Sequence, residues 1–268
     1  MITMAEVQRD RYGRPMIIPV GGGKPTPYVR TSKVSKTFDD TFFLTKWLQR
    51  KVIEGLVKNP ALLTLAGTAD GDNRTLDDIA QRSIDVAGGG DAAMIGTALH
   101  AITEKVDAGL DVMVPPEYRL DIEAYKRAVA GWTPLISEGF CVCDELGIAG
   151  SFDRLWDTPI GLVIGDLKTG KSAATLGAHS AAIQMAIYSR SMLYNVETGE
   201  RTPLPEGTRT DVGLMLHMPI TKGTCSVIEL DLDAGWAMAQ QYAAIAAFKK
   251  SKVATPSTFG PSQVLVRG

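Results

Sequence analysis

The chain has 268 residues, of which 45% are hydrophobic and 22% charged, and its formal net charge at pH 7 is −2. This composition is ordinary for a globular protein and supplies enough material for one large domain or two small ones. It excludes a strong global basic field, so any affinity for nucleic acid must come from local patches of Lys and Arg.

Such patches lie near both ends of the chain. They comprise Arg9, Arg11, Arg14, Lys24, Arg30, Lys33 and Lys36 at one end, and Lys249, Lys250, Lys252 and Arg267 at the other. Two interpretations stay open for these ends, a DNA-binding surface or solvated termini. Three cysteines cannot all pair, and no apolar run resembles a signal peptide or a membrane span. We therefore expect a reducing, cytoplasmic compartment and no membrane partner.

The first part of the chain is predicted to be helical. Residues 1–36 are rich in Pro and Gly and are predicted to form an irregular N-terminal arm. A single domain is predicted over residues 37–268, with a helical part at 37–132. Within it the hydrophobic spacing predicts helices at 38–57 and 76–86, another that begins near Asp91, and one opened by Pro115 and Pro116.

After Trp132 the hydrophobic period changes to that of strands. Residues 137–143, 147–156 and 160–168 are predicted to form three successive strands joined by short turns, a meander. A helix is predicted at 176–193, two further strands at 212–218 and 224–232, and a last helix at 234–250. The order predicts an α/β (α+β) fold with a central mixed sheet flanked by helices, within a catalytic core at 133–268.

Two carboxylates and a lysine end adjacent predicted strands. Asp153 ends one apolar run, and the triplet Asp166-Leu167-Lys168 ends the next. Alternation along a strand places Asp166 and Lys168 on one face and Leu167 on the other. Hard oxygen ligands of this kind hold Mg²⁺ or Mn²⁺, and the ammonium can position a water for phosphodiester hydrolysis.

The same segment also matches a phosphate-binding loop. Residues 165–172 read Gly-Asp-Leu-Lys-Thr-Gly-Lys-Ser, which fits G-x-x-x-x-G-K-[ST] and predicts a P-loop NTPase as the alternative function. This interpretation is weaker, because Asp166 would place a carboxylate inside a cradle for an anion. The strand also follows a meander, whereas a P-loop strand normally begins its domain.

Further motifs stand in a fixed order around these residues. They are Gly96-Thr97-Ala98-Leu99-His100, Glu138, Gly150-Ser151-Phe152-Asp153, Asp166-Leu167-Lys168 and Gln184-Met185-Ala186-Ile187-Tyr188. Their order resembles the PD-(D/E)xK nuclease superfamily, and specifically its RecB-like branch of phage and CRISPR-associated exonucleases. The resemblance covers residues 96–188 well and extends loosely to the C-terminus. It departs from the family pattern directly before Asp153, where Ser151 and Phe152 stand in place of the family's proline.

The resemblance implies a set of site residues and a restriction-endonuclease-like core. His100, Asp153, Asp166 and the backbone carbonyl of Leu167 would bind the metal, and Lys168 would orient the attacking water. Supporting or DNA-contacting roles would fall to Glu138, Lys171, Gln184 and Tyr188. The cysteines of iron–sulfur members are missing, so no cluster is expected.

The implied activity is a Mg²⁺- or Mn²⁺-dependent DNA exonuclease that acts on DNA ends or single strands. Its setting would be phage or mobile-element recombination, replication or repair, in a bacterial or phage-infected cell. A homo-oligomer and a recombination partner protein are further expectations, since related exonucleases often form rings or pairs. A non-catalytic DNA-binding module stays open beside the nuclease and the NTPase.

Each site residue also has a structural interpretation. His100 could be a hydrogen-bonded histidine of the core or surface, and Asp153 a salt-bridged strand end beside Arg154. Asp166 and Lys168 could be an ordinary exposed pair, while Tyr188 could belong to the core. Glu138 could be a second metal contact or a strand-edge charge. We expect His179 and His217 to be structural.

Overall fold

An eight-stranded mixed sheet lies at the centre of the computed structural model, which describes residues 7–253. Arg267 of the predicted basic tail lies outside the described residues. The strands are β1 (Met16–Ile17), β2 (Thr26–Pro27), β3 (Val29–Arg30), β4 (Thr133–Cys143), β5 (Ile148–Thr158), β6 (Gly161–Lys168), β7 (Met192–Tyr194), β8 (Arg201–Pro203), β9 (Val212–His217) and β10 (Ser226–Asp231). β1 and β2 form a separate antiparallel pair.

Helices cover both faces of the sheet. They are α1 (Thr31–Ser35), α2 (Phe42–Lys58), α3 (Pro60–Gly67), α4 (Asn73–Val86), α5 (Asp91–Asp107), α6 (Arg119–Ala128), α7 (Ala173–Leu176), α8 (Ala178–Ser189) and α9 (Leu232–Lys250). Short 3₁₀ turns at Lys36–Phe38 and Pro116–Tyr118 precede α2 and α6. Within residues 7–253, no helix combines the length and the apolar character needed to cross a lipid bilayer.

The predicted meander is confirmed as the middle of the large sheet. The strand order is β10, β9, β6, β5, β4, β7, β8, and β3 pairs with β5 off this path. Neighbours run antiparallel except for two parallel pairs, β6 with β9 and β3 with β5. Together with the helices, this confirms the predicted mixed α/β class.

The core has one apolar layer on each face of the sheet. On one side α8 packs Met185 and Ala181 against Leu155 and Ile164, and α9 adds Leu232. On the other side α5 and α6 pack against Trp156 and β6; the members are Leu99, Ile122, Tyr125, Trp156, Leu167, Leu216 and Met218. Burying both faces explains why β6 and β9 are continuous apolar runs and not alternating ones.

Two predicted elements differ from the structure. The helix predicted at 176–193 ends at Ser189, and Met192–Tyr194 instead forms β7, which pairs Leu193 with Cys141 of β4. This pairing satisfies backbone groups of the β4 edge, which a helical pattern in the sequence does not reveal. The helix predicted at 38–57 begins at Phe42, since Lys36–Phe38 forms a 3₁₀ turn and Asp39 is extended, and the Asp40 side chain accepts a hydrogen bond from the Phe42 amide.

Parts of the N-terminal segment are held in place by tertiary contacts. Val29 and Arg30 pair in parallel with the start of β5, while Ile17 and Val34 are completely buried. Tertiary contacts therefore order a segment whose local sequence indicates a loop. The division of the chain into an arm at 1–36 and a domain at 37–268 stays a prediction.

Gly165 lies within β6 at a position where the packing leaves no room for a side chain. A Cβ at this position would lie 2.2 Å from the Trp156 ring and 3.2 Å from the Leu214 carbonyl oxygen. We expect Gly165→Ala to lower the free energy of unfolding by about 1–3 kcal/mol, because Trp156 is buried and cannot move aside freely. Gly170→Ala is the matched control, since its Cβ would meet only Ala173 at 3.8 Å. Equal denaturant midpoints for the two variants would contradict this reasoning.

Candidate functional site

The site lies where one edge of β5 changes partner. β6 pairs with β5 from Arg154 onward, and β3 pairs with its first residues, Ile148 and Ala149. Between these pairings residues 150–153 have no ladder partner on that side among the described residues. The Asp153 side chain occupies the end of this gap, where Oδ2 accepts a hydrogen bond from the Leu167 amide at 2.9 Å. The interrupted ladder thus brings Asp153 to the end of β6.

β5 also changes face at Asp153. The Phe152 ring packs on Tyr188 of α8 with a centroid separation of 6.1 Å, whereas Arg154 contacts Asp107 of α5 on the opposite face. In a regular strand residues 152 and 154 would share a face. Asp153 therefore lies at an irregularity of the strand, between a residue that faces α8 and a residue that faces α5.

Glu138 lies across from Asp153 on β4 and has a strained backbone. Its neighbours Ser137 and Gly139 pair with Arg154 and Phe152, while Glu138 itself has φ 52°. Non-glycine residues rarely adopt this conformation, which is concentrated at functional sites. The surrounding protein removes part of the water around the Glu138 carboxylate, and this raises the pKa of Glu138 to about 7. The charges of Asp153 and Glu104 add to the shift, and water on the exposed side of Glu138 screens part of their repulsion.

α5 approaches the end of β6 through Gly96. A Cβ at Gly96 would lie 2.8 Å from Thr169 Oγ1, so the missing side chain permits the close contact. His100 follows one helical turn later on the same face, and its Nδ1 lies 3.2 Å from Asp153 Oδ2. Gly96 therefore allows α5 to lie close to the end of β6, and His100, one turn later, places its imidazole beside Asp153.

A buried ion pair fixes α5 to β5 beside the site. Arg154 Nε donates to Asp107 Oδ2 at 2.7 Å, and both side chains are nearly inaccessible to solvent. Arg154 also donates to Thr103 Oγ1 on α5, and the Tyr125 hydroxyl of α6 donates to Asp107. The interpretation of Asp153 as a strand end salt-bridged to Arg154 does not hold, because Arg154 pairs with Asp107 and Asp153 with His100.

His100 and Asp153 stabilise each other's charged forms. Burial disfavours the imidazolium, but the hydrogen bond and charge of Asp153 outweigh it and raise the pKa of His100 above its usual value. Burial likewise disfavours the Asp153 carboxylate, yet His100 and the Leu167 amide lower the pKa of Asp153 below its usual range. Asp153 is therefore an anion at neutral pH.

Asp166 is a buried carboxylate with one cationic neighbour. Its Oδ2 lies 2.7 Å from the Lys168 ammonium, and the Asp166 side chain is only 7% exposed. At this distance the ammonium donates a charge-assisted hydrogen bond to Oδ2. Burial raises the pKa of Asp166 to about 6; Lys168 opposes this shift and the negative charge of Asp153 adds to it.

These side chains offer the donor types that a divalent cation prefers, but they are not assembled as a finished metal centre. Two mutually repelling carboxylates suit Mg²⁺ or Mn²⁺, and His100 adds a nitrogen donor. No group of three His, Cys, Asp or Glu side chains is placed to hold a metal within residues 7–253. A cation would have to compete with Lys168 for Asp166. The metal and the Leu167 carbonyl ligand stay predictions.

An open cleft of ≈ 950 Å³ adjoins the carboxylates. Its walls come from four parts of the chain, namely the turn after α1, the exposed face of α5, the kink of β4 and the end of β6. The charged and titratable residues that line it are Lys36, His100, Glu104, Glu138 and Lys168. Asp153 and Asp166 lie behind this lining, so Lys168 and His100 separate the buried carboxylates from the open volume.

Gln184 and Tyr188 form a support behind the site. Gln184 Nε2 donates to the Tyr188 hydroxyl at 3.0 Å, one helical turn away on α8. Tyr188 is 3% exposed and belongs to the apolar layer under α8, so it is a core residue and cannot itself contact DNA. Burial raises the pKa of Tyr188, with smaller contributions from neighbours that include Asp166.

The segment 165–172 lacks the geometry of a phosphate-binding loop. Residues 165–168 are paired in parallel with β9, from Gly165 with Leu214 to Lys168 with His217, so they form a strand and not a loop of free amides. Lys171 is exposed in the following turn and does not line the cleft. His217 Nε2 lies 2.9 Å from the Gly170 carbonyl oxygen, which gives this histidine the structural role expected for it.

Sequence reasoning missed Glu104 and the role of Asp107. Glu104 had a usable signal, because it follows His100 by four residues on the same helix face. Lys36 was named only as one of a basic patch, and its place in the cleft wall depends on the docking of α1. The chain matches no protein-family model and no curated protein.

Proposed function

We propose that the chain is a metal-dependent nuclease of the RecB-like PD-(D/E)xK type that hydrolyses phosphodiester bonds in DNA, as an exonuclease. The observation that carries the proposal is the convergence of two pairs at one point of the sheet. His100 lies 3.2 Å from Asp153, and Lys168 lies 2.7 Å from Asp166, on neighbouring strands beside an open cleft. Every predicted catalytic residue takes part in this arrangement.

Each residue has a role that follows from its surroundings. Asp153, Asp166 and His100 would bind the cation, which supplies charge stabilisation at the phosphoryl group and an acidified water. Lys168 is 32% exposed toward solvent, so its ammonium can donate to a phosphate oxygen or to the attacking water while it remains close to Asp166. Gln184 and Tyr188 would support this arrangement from α8, and Glu138 would face the substrate from β4.

Cleavage of end-labelled single- and double-stranded DNA tests the proposal. We expect degradation with Mg²⁺ or Mn²⁺, none with EDTA, and a loss of roughly 10³-fold or more in Asp153→Ala, because several kcal/mol of charge stabilisation disappear. Lys171→Ala, outside the cleft, should keep its activity, and added ATP should change nothing.

The same pair of variants separates the alternatives. An NTPase would lose nucleotide binding in Lys171→Ala and tolerate Asp153→Ala. A DNA-binding module would bind DNA without cutting it and tolerate the loss of either carboxylate. Purified wild-type protein that leaves both DNA forms intact with either metal would overturn the nuclease proposal.

A further inference from the structure

Lys36 lines the cleft although it stands far from the other site residues in sequence. It follows the last residue of α1 and faces the same volume as Lys168, Thr169 and Gly170 at the end of β6. The basic residues near the N-terminus could be read from the sequence as a solvated arm. The structure instead places one of them in the wall of the candidate site.

The backbone that carries Lys36 is anchored on both sides of α1. β3, directly before α1, pairs Val29 with Ile148 of β5. Within α1, Thr31, Val34 and Ser35 are buried, and Val34 packs against Ile183 and Ile187 of α8. The position of Lys36 is therefore set by the same strand and helix that carry Asp153 and Tyr188.

The charge of Lys36 is available to a ligand. Across residues 7–253, no acidic side chain lies within ion-pair distance of its ammonium, whereas Lys168 is engaged by Asp166. The two acidic residues of the cleft, Glu104 and Glu138, lie near Arg154 and Asp153. Small residues of α5 also line the cleft (Ala92, Ala93, Gly96 and Thr97), and they leave room for a bulky ligand.

We propose that Lys36 binds a backbone phosphate of the polynucleotide, next to the phosphate that is cleaved. This inference rests on the proposed nuclease function and adds the docked N-terminal segment to the substrate-binding surface. A lysine ammonium contacts phosphate as a point charge, so the contact contributes affinity without sequence preference. Lys36 is a binding residue and would not touch the reacting atoms.

The test compares Lys36→Ala with Lys33→Ala, which removes the same charge from an exposed position of α1 that does not line the cleft. Binding of a labelled single-stranded oligonucleotide is measured in EDTA over a series of salt concentrations, and KM and kcat are measured with Mg²⁺. In Lys36→Ala the slope of log K against log salt should fall by about 0.7, the value for one lost phosphate contact on a single strand. KM should rise several-fold, more than kcat falls, and Lys36→Arg should restore both.

The outcomes separate this inference from the function on which it rests. Equal salt slopes and equal KM for Lys36→Ala and Lys33→Ala, in a protein that cleaves DNA, would overturn the role of Lys36 alone. A wild-type protein that neither binds nor cleaves the oligonucleotide would overturn both. If Lys36→Ala proves unstable, Lys36→Gln keeps the length of the side chain and gives the same comparison.

Discussion

Asp107→Ala is expected to lower the free energy of unfolding by about 3–5 kcal/mol, because it leaves the buried Arg154 guanidinium without its partner. Arg154 and Asp107 are 2% and 3% exposed, and the Tyr125 hydroxyl also donates to Asp107. The remaining acceptors of Arg154, Thr103 Oγ1 and the Asp153 carbonyl, are uncharged, and the nearest other carboxylate is that of Glu104 at 3.9 Å, too far for a hydrogen bond. Chemical denaturation measures the change.

Asp111→Ala is the matched control, since Asp111 is exposed just beyond α5. The double replacement Arg154→Met with Asp107→Leu should recover most of the loss, because an apolar pair removes both buried charges at once. A small effect in Asp107→Ala, or a double variant less stable than the single one, would show that the pair is not the element that holds α5 to β5.

This ion pair links the stability of the fold to the geometry of the site. Arg154 follows Asp153 on β5, and Asp107 follows His100 by two helical turns on α5, so the pair fixes the two elements whose side chains meet at 3.2 Å. A precise His–Asp contact requires such a rigid support, since positioning errors of about 1 Å are costly in catalysis. Arg154 and Asp107 thus hold together the strand and the helix that carry the proposed ligands.

The meander and several of the helices could be predicted because their patterns are local. Strands β4 to β6 alternate or run apolar between Gly-containing turns, and α5 has its apolar residues at helical spacing. β7 could not be predicted, since it exists only through its pairing with β4 and β8. The docking of Val29 and Val34 against β5 and α8 is equally non-local, so the local sequence does not reveal it.

The proposed ligands could be named from the sequence, but their arrangement could not. The strand spacing predicts that Asp166 and Lys168 share a face, and they form an ion pair. It does not predict that β5 changes face at Asp153 or that Glu138 adopts φ 52°. Both features arise where β3 and β6 divide one edge of β5, which is a property of the assembled sheet.

Asp166→Asn is expected to abolish cleavage while it keeps or raises the thermal stability. The amide has the volume of the carboxylate but loses the charge that a divalent cation needs, so activity should fall by on the order of 10³-fold. Burial, with the nearby Asp153 charge, raises the pKa of Asp166 to about 6, so ionising this group costs stability in the folded protein. Lys168, which loses its partner, is partly exposed and can be hydrated.

The sign of the pH dependence follows from this raised pKa. The folded protein holds the Asp166 proton up to about pH 6 and the unfolded chain only to about 3.8, so the penalty grows as pH rises between these values and is complete above them. The stability difference between Asp166→Asn and wild type should therefore be larger at pH 8 than at pH 5. Asp157→Asn, on an exposed position of β5, is the control and should change neither activity nor this difference. An Asp166→Asn protein that unfolds several degrees earlier at pH 8, or that still cleaves DNA, would mean that this carboxylate serves the fold and not the reaction.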